Sequence, residues 1–464
     1  MSSSRSKRTH DAGLVEELLG ALAGGPRLKR YVVAYSGGVD SAALLHALAS
    51  AVAERKAGFA VSAVHVDHGL HADAAAWAEH CRRTCRRLGV ELEVVAVDAR
   101  ARPGESPEAA ARAARYAALA ERLDADSAVC TAHHQRDQAE TVLLQLLRGA
   151  GPRGLAAMPR VARLGAGWLL RPCLALPPAR LAAHARAHDL DWIEDPANAD
   201  PRFDRSHLRH VVLPALEARW PAAVATLAGV ATLQAEAAEL IAEEISRDLA
   251  RARGTAPGTL AVDALRALRP ARARALLRAG IEQRALPLPG RARLESALDT
   301  LLGARDDASP LIEWPGAELR RYRGDVYLRR PPPAADPALI LSWCPPRELA
   351  LPYGRLRAVP VRGHGLAAAR CADARLEVRF RRGGERCRPA GRAHGQRLKK
   401  LLQARRVPPW LRGRVPLVYA DGMLAAVAGL WVCEGFQAAA GAPGWELVWE
   451  LPETPPAGRA DDEA

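Results

Sequence analysis

Residues 31–35, Tyr-Val-Val-Ala-Tyr, run straight into Ser36-Gly37-Gly38-Val39-Asp40-Ser41 and then into the apolar helical stretch 42–53. A strand, a glycine turn and a helix in that order constrain this chain more than any other segment. Paired glycines let the backbone turn sharply and aim several N–H groups inward. Ser41 opens a helix whose positive end favours an anion, so the loop is built to cradle phosphates. The absence of Gly-Lys-Ser/Thr separates it from the Walker A loop.

The segments that follow repeat the strand-helix alternation. Strands are expected at 60–66, 92–98 and 127–132, and helices at 72–88, 107–123 and 137–148. Units of about 30 residues of this kind give an α/β fold with a parallel sheet covered on both faces. Ligands then bind outside the carboxyl ends of the strands. From about Trp220 the pattern becomes mainly helical, with long stretches at 222–253 and 258–284 and strand-like pieces at 309–330. The prolines at 331, 332, 333 and 337 read as a stiff linker. Beyond it, short β-type runs surround one helix-like segment, 396–405, as in a small α+β domain. The expected division is a catalytic domain at 1–221, a mainly helical domain at 222–335, a basic domain at 336–451 and a disordered tail at 452–464.

At 464 residues and 49% hydrophobic composition, the chain is long enough to bury several cores, which excludes a wholly disordered or fibrous protein. Its eight cysteines are scattered with no C-x-x-C pair, against a disulfide scaffold or a standard zinc or iron–sulfur site. No signal peptide and no span of about 20 apolar residues is evident, so a cytoplasmic protein without a membrane helix is expected. The net charge is +14, carried almost wholly by Arg. It is concentrated: 376–414 holds 13 Lys or Arg against two acids, Glu377 and Glu385. Such a cluster, including Arg381, Arg382, Lys399 and Lys400, reads as a phosphate-contacting nucleic-acid surface. Trp410 stands nearby, either stacked on an RNA end or packed in the core.

The loop at 36–41 resembles the SGGxDS pyrophosphate loop of the PP-loop ATP pyrophosphatase superfamily, whose fold is adenine nucleotide alpha hydrolase-like. Further motifs narrow the resemblance. His65-Val66-Asp67-His68-Gly69-Leu70 follows the second strand, and Ala132-His133-His134-Gln135-Arg136-Asp137-Gln138-Ala139-Glu140-Thr141 follows the fourth. Arg148-Gly149-Ala150-Gly151-Pro152-Arg153-Gly154-Leu155 closes the next helix. With Asp195-Pro196-Ala197-Asn198, Arg205 and Arg209, and the run through Gly383, Arg386, Lys399-Lys400-Leu401, Pro408, Leu411-Arg412 and Pro416, the chain resembles the tRNA(Ile)-lysidine synthetase family nearly end to end.

That resemblance implies a ligase using ATP and Mg2+. ATP adenylates the C2 oxygen of the wobble cytidine in CAU-anticodon tRNA(Ile), and the ε-amine of free L-lysine then displaces AMP, so that the codon read changes from AUG to AUA. Residues 36–41 would hold the phosphates, Asp40 and Asp137 the Mg2+ or the lysine ammonium, and Glu140 the amine. Arg148 and Arg205 would neutralise the leaving phosphates. His133 and His134 are candidates for the proton acceptor, His65 and His68 for the nucleotide or base pocket, and Arg209 for the substrate. Three positions depart from the family pattern: Arg136 replaces the first acid of an Asp-Asp pair, Ser206 an Asn, and His71 an Arg found in some members. A tRNA thiolation enzyme of the same superfamily and a non-catalytic tRNA-binding relative are the alternatives. The oligomeric state, monomer or homodimer, is open at this level.

Overall fold

Tyr31 and Val33 of the first strand point into one apolar cluster and Val32 into another, so this strand is covered on both faces. In a computed structural model, residues 3–54, 56–69, 73–100, 106–194, 204–305, 308–333 and 336–451 are described. The tail expected to be disordered, together with His71 and the Asp195 to Asn198 motif, lies outside them.

The chain runs α1 (Ser3–Ala23), β1 (Arg30–Ala34), α2 (Val39–Ala53), β2 (Ala60–Asp67), α3 (Ala74–Leu88), β3 (Glu91–Ala96), α4 (Pro107–Ala120), β4 (Ser127–Cys130), α5 (Gln135–Leu147) and α6 (Pro152–Leu155). Then come β5 (Val161–Leu164), β6 (Gly167–Leu170), α7 (Pro178–Ala187), α8 (Asp204–His207), a π-helical stretch (Leu208–Val212), α9 (Leu213–Arg219) and α10 (Ala223–Arg251). The sheet order is β3-β2-β1-β4-β6-β5, parallel except for β5. β1 pairs with β2 on one side and β4 on the other. Connections leave these strands in opposite directions, so a crevice opens at the carboxyl ends of β1 and β4. Of the six strands, β5 and β6 were not expected: they are a short antiparallel pair, four residues each, with no helix between them to continue the strand-helix alternation.

By contacts the chain divides within α10, at Glu243 and Glu244. α10 departs from the expectation that no segment matches a membrane span: by length and composition it does, Ala, Leu and Val filling its first half.

The second unit takes the end of α10 and continues with β7 (Leu260–Ala261), α11 (Val262–Arg266), α12 (Pro270–Gln283), α13 (Arg291–Gly303), β8 (Leu311–Trp314), β9 (Ala317–Tyr322) and β10 (Asp325–Arg329). Its helices pack with an antiparallel sheet, β7-β10-β9-β8, around Leu276, Leu277, Leu301 and Val326. The rest comprises β11 (Ile340–Ser342), β12 (Leu349–Leu351), β13 (Gly354–Arg362), β14 (Leu366–Ala367), α14 (Ala368–Ala372), β15 (Leu376–Arg379), β16 (Arg386–Cys387) and β17 (Gln396–Arg397). It ends with α15 (Leu398–Ala404), β18 (Leu417–Ala420), β19 (Met423–Val427), β20 (Trp431–Val432) and β21 (Pro443–Glu450). Two sheets, β11-β15-β18-β19-β20 and β12-β13-β21-β14, share a core of their own.

Candidate active site

The turn between β1 and α2 is forced by its glycines. Gly37 has φ +88°, and a Cβ there would lie 2.6 Å from Ile193 Cδ1. Ile193 donates its N–H to the Gly37 carbonyl at 2.9 Å, closing the loop from outside. Gly38 caps α2 in an extended conformation and, having no side chain, caps none of the helix's first amides itself. Ser41 bridges Ser36 Oγ at 3.1 Å and donates to the Gly38 carbonyl at 3.0 Å, so both hydroxyls brace the turn. The amides at this helix start are the groups that bind phosphate in such loops.

Below the loop, His134 stands between two carboxylates. Its Nε2 is 3.6 Å from Asp40 Oδ2 and its Nδ1 3.3 Å from Asp137 Oδ2. His134 and Asp137 form a reciprocal cap on α5: the His134 amide donates to Asp137 Oδ2 at 2.9 Å, and the Asp137 amide to His134 Nδ1 at 3.4 Å. Burial alone would lower the His134 pKa, but Asp40 and Asp137 hold it above the ordinary value. The geometry separates Asp40 from Asp137 as expected metal partners. Both Asp137 oxygens are engaged, Oδ2 by the cap and Oδ1 by Arg209 Nη2 at 2.8 Å. Asp40, with 35% of its side chain exposed, remains suited to an ion carried by the nucleotide, since Mg2+ commonly takes one protein carboxylate plus phosphate oxygens.

Arg209 also grips Glu140 through two bonds, Nε to Oε1 at 2.7 Å and Nη2 to Oε2 at 2.9 Å. Glu140 is fully buried; burial raises its pKa and the guanidinium opposes that rise. Neither Glu140 nor Arg209 therefore stands as an open substrate contact. Arg209 reaches the pair from the π-helical stretch, one residue wider per turn than an α-helix, just ahead of Pro214, which has no N–H to donate one turn back.

On the other side of the motif, His133 is ringed by cations. Its Nδ1 lies 2.8 Å from Thr131 Oγ1. Burial, then Arg171, Arg112, Arg115 and Arg205, push its pKa well below the ordinary value, which keeps the ring neutral. Arg171 is 5% exposed, with Nη1 donating to the Pro159 carbonyl at 2.7 Å and Nε buried without a hydrogen-bond partner among the described residues. Arg112 lies over the Tyr116 ring at 4.8 Å. In a chain this rich in Arg, nothing in the sequence marked Arg112, Arg115 and Arg171. Arg205 does reach this group, with Glu108 3.7 Å from its Nε.

Other motif residues have structural tasks. Gln138 ties α5 to Met158 by two bonds of 3.0 Å, and Thr141 donates to the Asp137 carbonyl. The buried His65 has Nδ1 2.9 Å from the Tyr35 carbonyl, supporting the loop from behind. His68 is half-buried with Nδ1 unpartnered among the described residues, and burial lowers its pKa. The structure does not bring Arg148 to the cluster. It is exposed at the far end of α5, 11 residues and so ~16 Å along the axis from Asp137, where Gly149 at φ +69° ends the helix. Arg136 turns away as well, its Nη2 bonding Glu217 Oε1 and Oε2 at 3.0 and 2.9 Å. Ser206 is buried in α8.

The basic stretch splits in two. Arg382 donates to the Pro337 and Ala338 carbonyls, Arg381 faces Glu385 at 3.5 Å, and Arg412 reaches Tyr322 Oη at 3.3 Å. Trp410 is a packing residue, 7% exposed, edge-on to Tyr322 and Tyr327 with ring centroids 5.9 and 4.9 Å away. By contrast α15 buries Leu398, Leu401 and Leu402 and leaves Lys399 and Lys400 exposed, as are Arg386, Arg392, Arg397, Arg405 and Arg406.

Residues 12–216 match the PP-loop domain family, 260–327 the TilS substrate binding domain and 376–449 the TilS substrate C-terminal domain. The chain is 43% identical over 417 residues to tRNA(Ile)-lysidine synthase of Methylococcus capsulatus, covering 89% of this chain and 94% of that protein. It is 45% identical to the protein of that name in Alkalilimnicola ehrlichii, over 90% and 93% of the two chains. The Coxiella burnetii protein is 40% identical, over 91% and 94%.

Proposed function

The chain belongs to the tRNA(Ile)-lysidine synthase family, an ATP-dependent ligase family, and from that premise we propose how its own residues divide the reaction. ATP binds with its phosphates on the amides of residues 37–41. The C2 oxygen of the wobble cytidine in CAU-anticodon tRNA(Ile) attacks the α-phosphorus, pyrophosphate leaves, and the oxygen carries AMP. The ε-amine of L-lysine then forms the C2–N bond as the C2–O bond breaks and AMP departs with that oxygen.

Asp40 would hold Mg2+, which when bound spreads the charge of the triphosphate. His134, its Nδ1 taken up by the α5 cap, orients Asp40 through Nε2, and the partly exposed Asp40 carboxylate is placed to draw in the lysine ammonium and take its proton before attack. Glu140 acts through Arg209, which fixes Asp137. The neutral His133 and the surrounding Arg112, Arg115, Arg171 and Arg205 supply the cationic wall against which charge on departing phosphates is stabilised. The exposed cations of α15 and its flanks grip the tRNA backbone. The division into domains at 1–221, 222–335 and 336–451 belongs to this reading, as does a cytoplasmic setting, where tRNA is found.

The observation that carries the proposal is Asp40–His134–Asp137 assembled beneath a phosphate loop at the carboxyl ends of β1 and β4. A thiolation enzyme would need a reactive thiol, yet Cys130, on β4 beside this site, is fully buried and burial pushes its pKa up to about 12. Incubation with ATP, labelled lysine and CAU-anticodon tRNA(Ile), followed by digestion of the RNA, should yield labelled lysidine. Folded protein that leaves the tRNA unlabelled would overturn the proposal.

A further inference from the structure

Three histidines meet between α2 and α7, on residues that the proposed reaction does not use. His184 and His188 stand four apart on α7 and so share one face. His188 caps that helix, donating its N–H to the His184 carbonyl at 3.2 Å. His46 comes from α2, whose Leu44 and Leu48 share a core with Leu181 and Ala185 of α7. This packing brings the imidazoles together edge-on or tilted, with centroids 5.1 Å apart for His46 and His184, 4.4 Å for His46 and His188, and 4.5 Å for His184 and His188. His46 Nδ1 and His184 Nε2 are 3.0 Å apart. One nitrogen from each ring lies within 4.8 Å of the other two.

We propose that His46, His184 and His188 form a binding site for one divalent transition-metal ion of the zinc class. Around a tetrahedral ion with bonds of ~2.0–2.1 Å, ligand nitrogens stand ~3.4 Å apart. The 3.0 Å pair is close to that spacing, and the widest separation closes by no more than about 1.5 Å through imidazole rotation, most readily at the half-buried His188. On binding, whichever ring donates across the His46–His184 contact moves its proton to its other nitrogen, freeing the first for the metal. Imidazole favours Zn2+, Ni2+ and Cu2+ over Mg2+ and Ca2+, so the ion is distinct from one brought by ATP. Three protein ligands leave a position for water, as in an exchangeable site.

The consequence for the fold is a clip. His46 lies six residues beyond Asp40 on the same helix, ~9 Å along its axis. A metal joining His46 to α7 therefore anchors the helix whose first turn carries Asp40 and Ser41.

The test uses the full chain with Zn2+ in competition with a chromogenic chelator, and with Co2+ read by absorption. One tightly bound Zn2+ is expected, undisturbed by excess Mg2+, and weakened at least tenfold by His188→Gln and, separately, by His46→Gln. Co2+ should give d–d bands of tetrahedral strength without a thiolate charge-transfer band, and Zn2+ should raise the Tm of the parent protein but not of His188→Gln. His188 is half-buried at a helix end, so that variant keeps the fold and carries the test if His46→Gln does not fold. Unchanged affinity in the folded variants, a thiolate band, or an equal rise in Tm in parent and His188→Gln would overturn the site.

Discussion

In the parallel-sheet unit the carboxylates Asp137 and Glu140 are closed by a cation from the same unit, Arg209, at 2.7–2.9 Å. In the C-terminal stretch the reverse holds: among the described residues, Lys399, Lys400, Arg397, Arg405 and Arg406 stand exposed and take part in no ion pair. The first arrangement fixes geometry, because buried charges tolerate little displacement. The second leaves charge for a partner whose phosphates release counterions on binding. The net charge of +14 thus describes neither region by itself.

The largest effect that can break this contrast is in the closed cluster. Arg209→Ala strands a fully buried carboxylate and is expected to destabilise the catalytic unit by about 3–5 kcal/mol in urea unfolding. A loss below ~1 kcal/mol would mean that Glu140 is already protonated or solvated. Asp40→Asn should lower pyrophosphate release by about 10²–10³-fold with tRNA affinity within ~3-fold; parallel losses in both would remove the separation of chemistry from RNA grip.

Smaller effects sharpen the contrast at the other end. Converting Lys399, Lys400, Arg405 and Arg406 to Gln should flatten the dependence of log Kd on log salt by about 3, each phosphate contact being worth roughly 0.7–0.9 in that slope. Converting Arg381 and Arg382 should change the slope by less than about 1, since their guanidinium groups serve Glu385 and backbone carbonyls. The smallest effect is expected for Arg136→Ala, about 1 kcal/mol or less of stability from the lost Glu217 pair, with turnover little changed. A hundredfold fall in turnover would put Arg136 into the chemistry.

Much of this was legible before the fold. The strand, Gly37-Gly38 turn and helix announce their geometry locally, and Asp40, His134 and Asp137 sit in motifs a few residues from strand ends. What escaped depends on distant pairings. Arg209 stands in a motif and was expected at the substrate, but its pairing with Glu140 across 69 positions leaves no local trace. The ring of Arg112, Arg115 and Arg171 is hidden by the Arg-rich composition. Arg148 was expected in the site because its motif looks chemical, whereas Arg148-Gly149 marks a helix end. Arg381 and Arg382 look like their basic neighbours until backbone carbonyls of residues 337 and 338 fold against Arg382.

The most direct measurement compares kcat and KM for tRNA in the parent and in the fourfold variant of Lys399, Lys400, Arg405 and Arg406. If the Asp40–His134 site that the closed cluster holds in place performs the ligation and the exposed cations hold the RNA, KM should rise at least ~10-fold while kcat at saturating tRNA stays within ~3-fold. A kcat that falls as far as KM rises would contradict the account, because the exposed cations would then be contributing to the reaction itself.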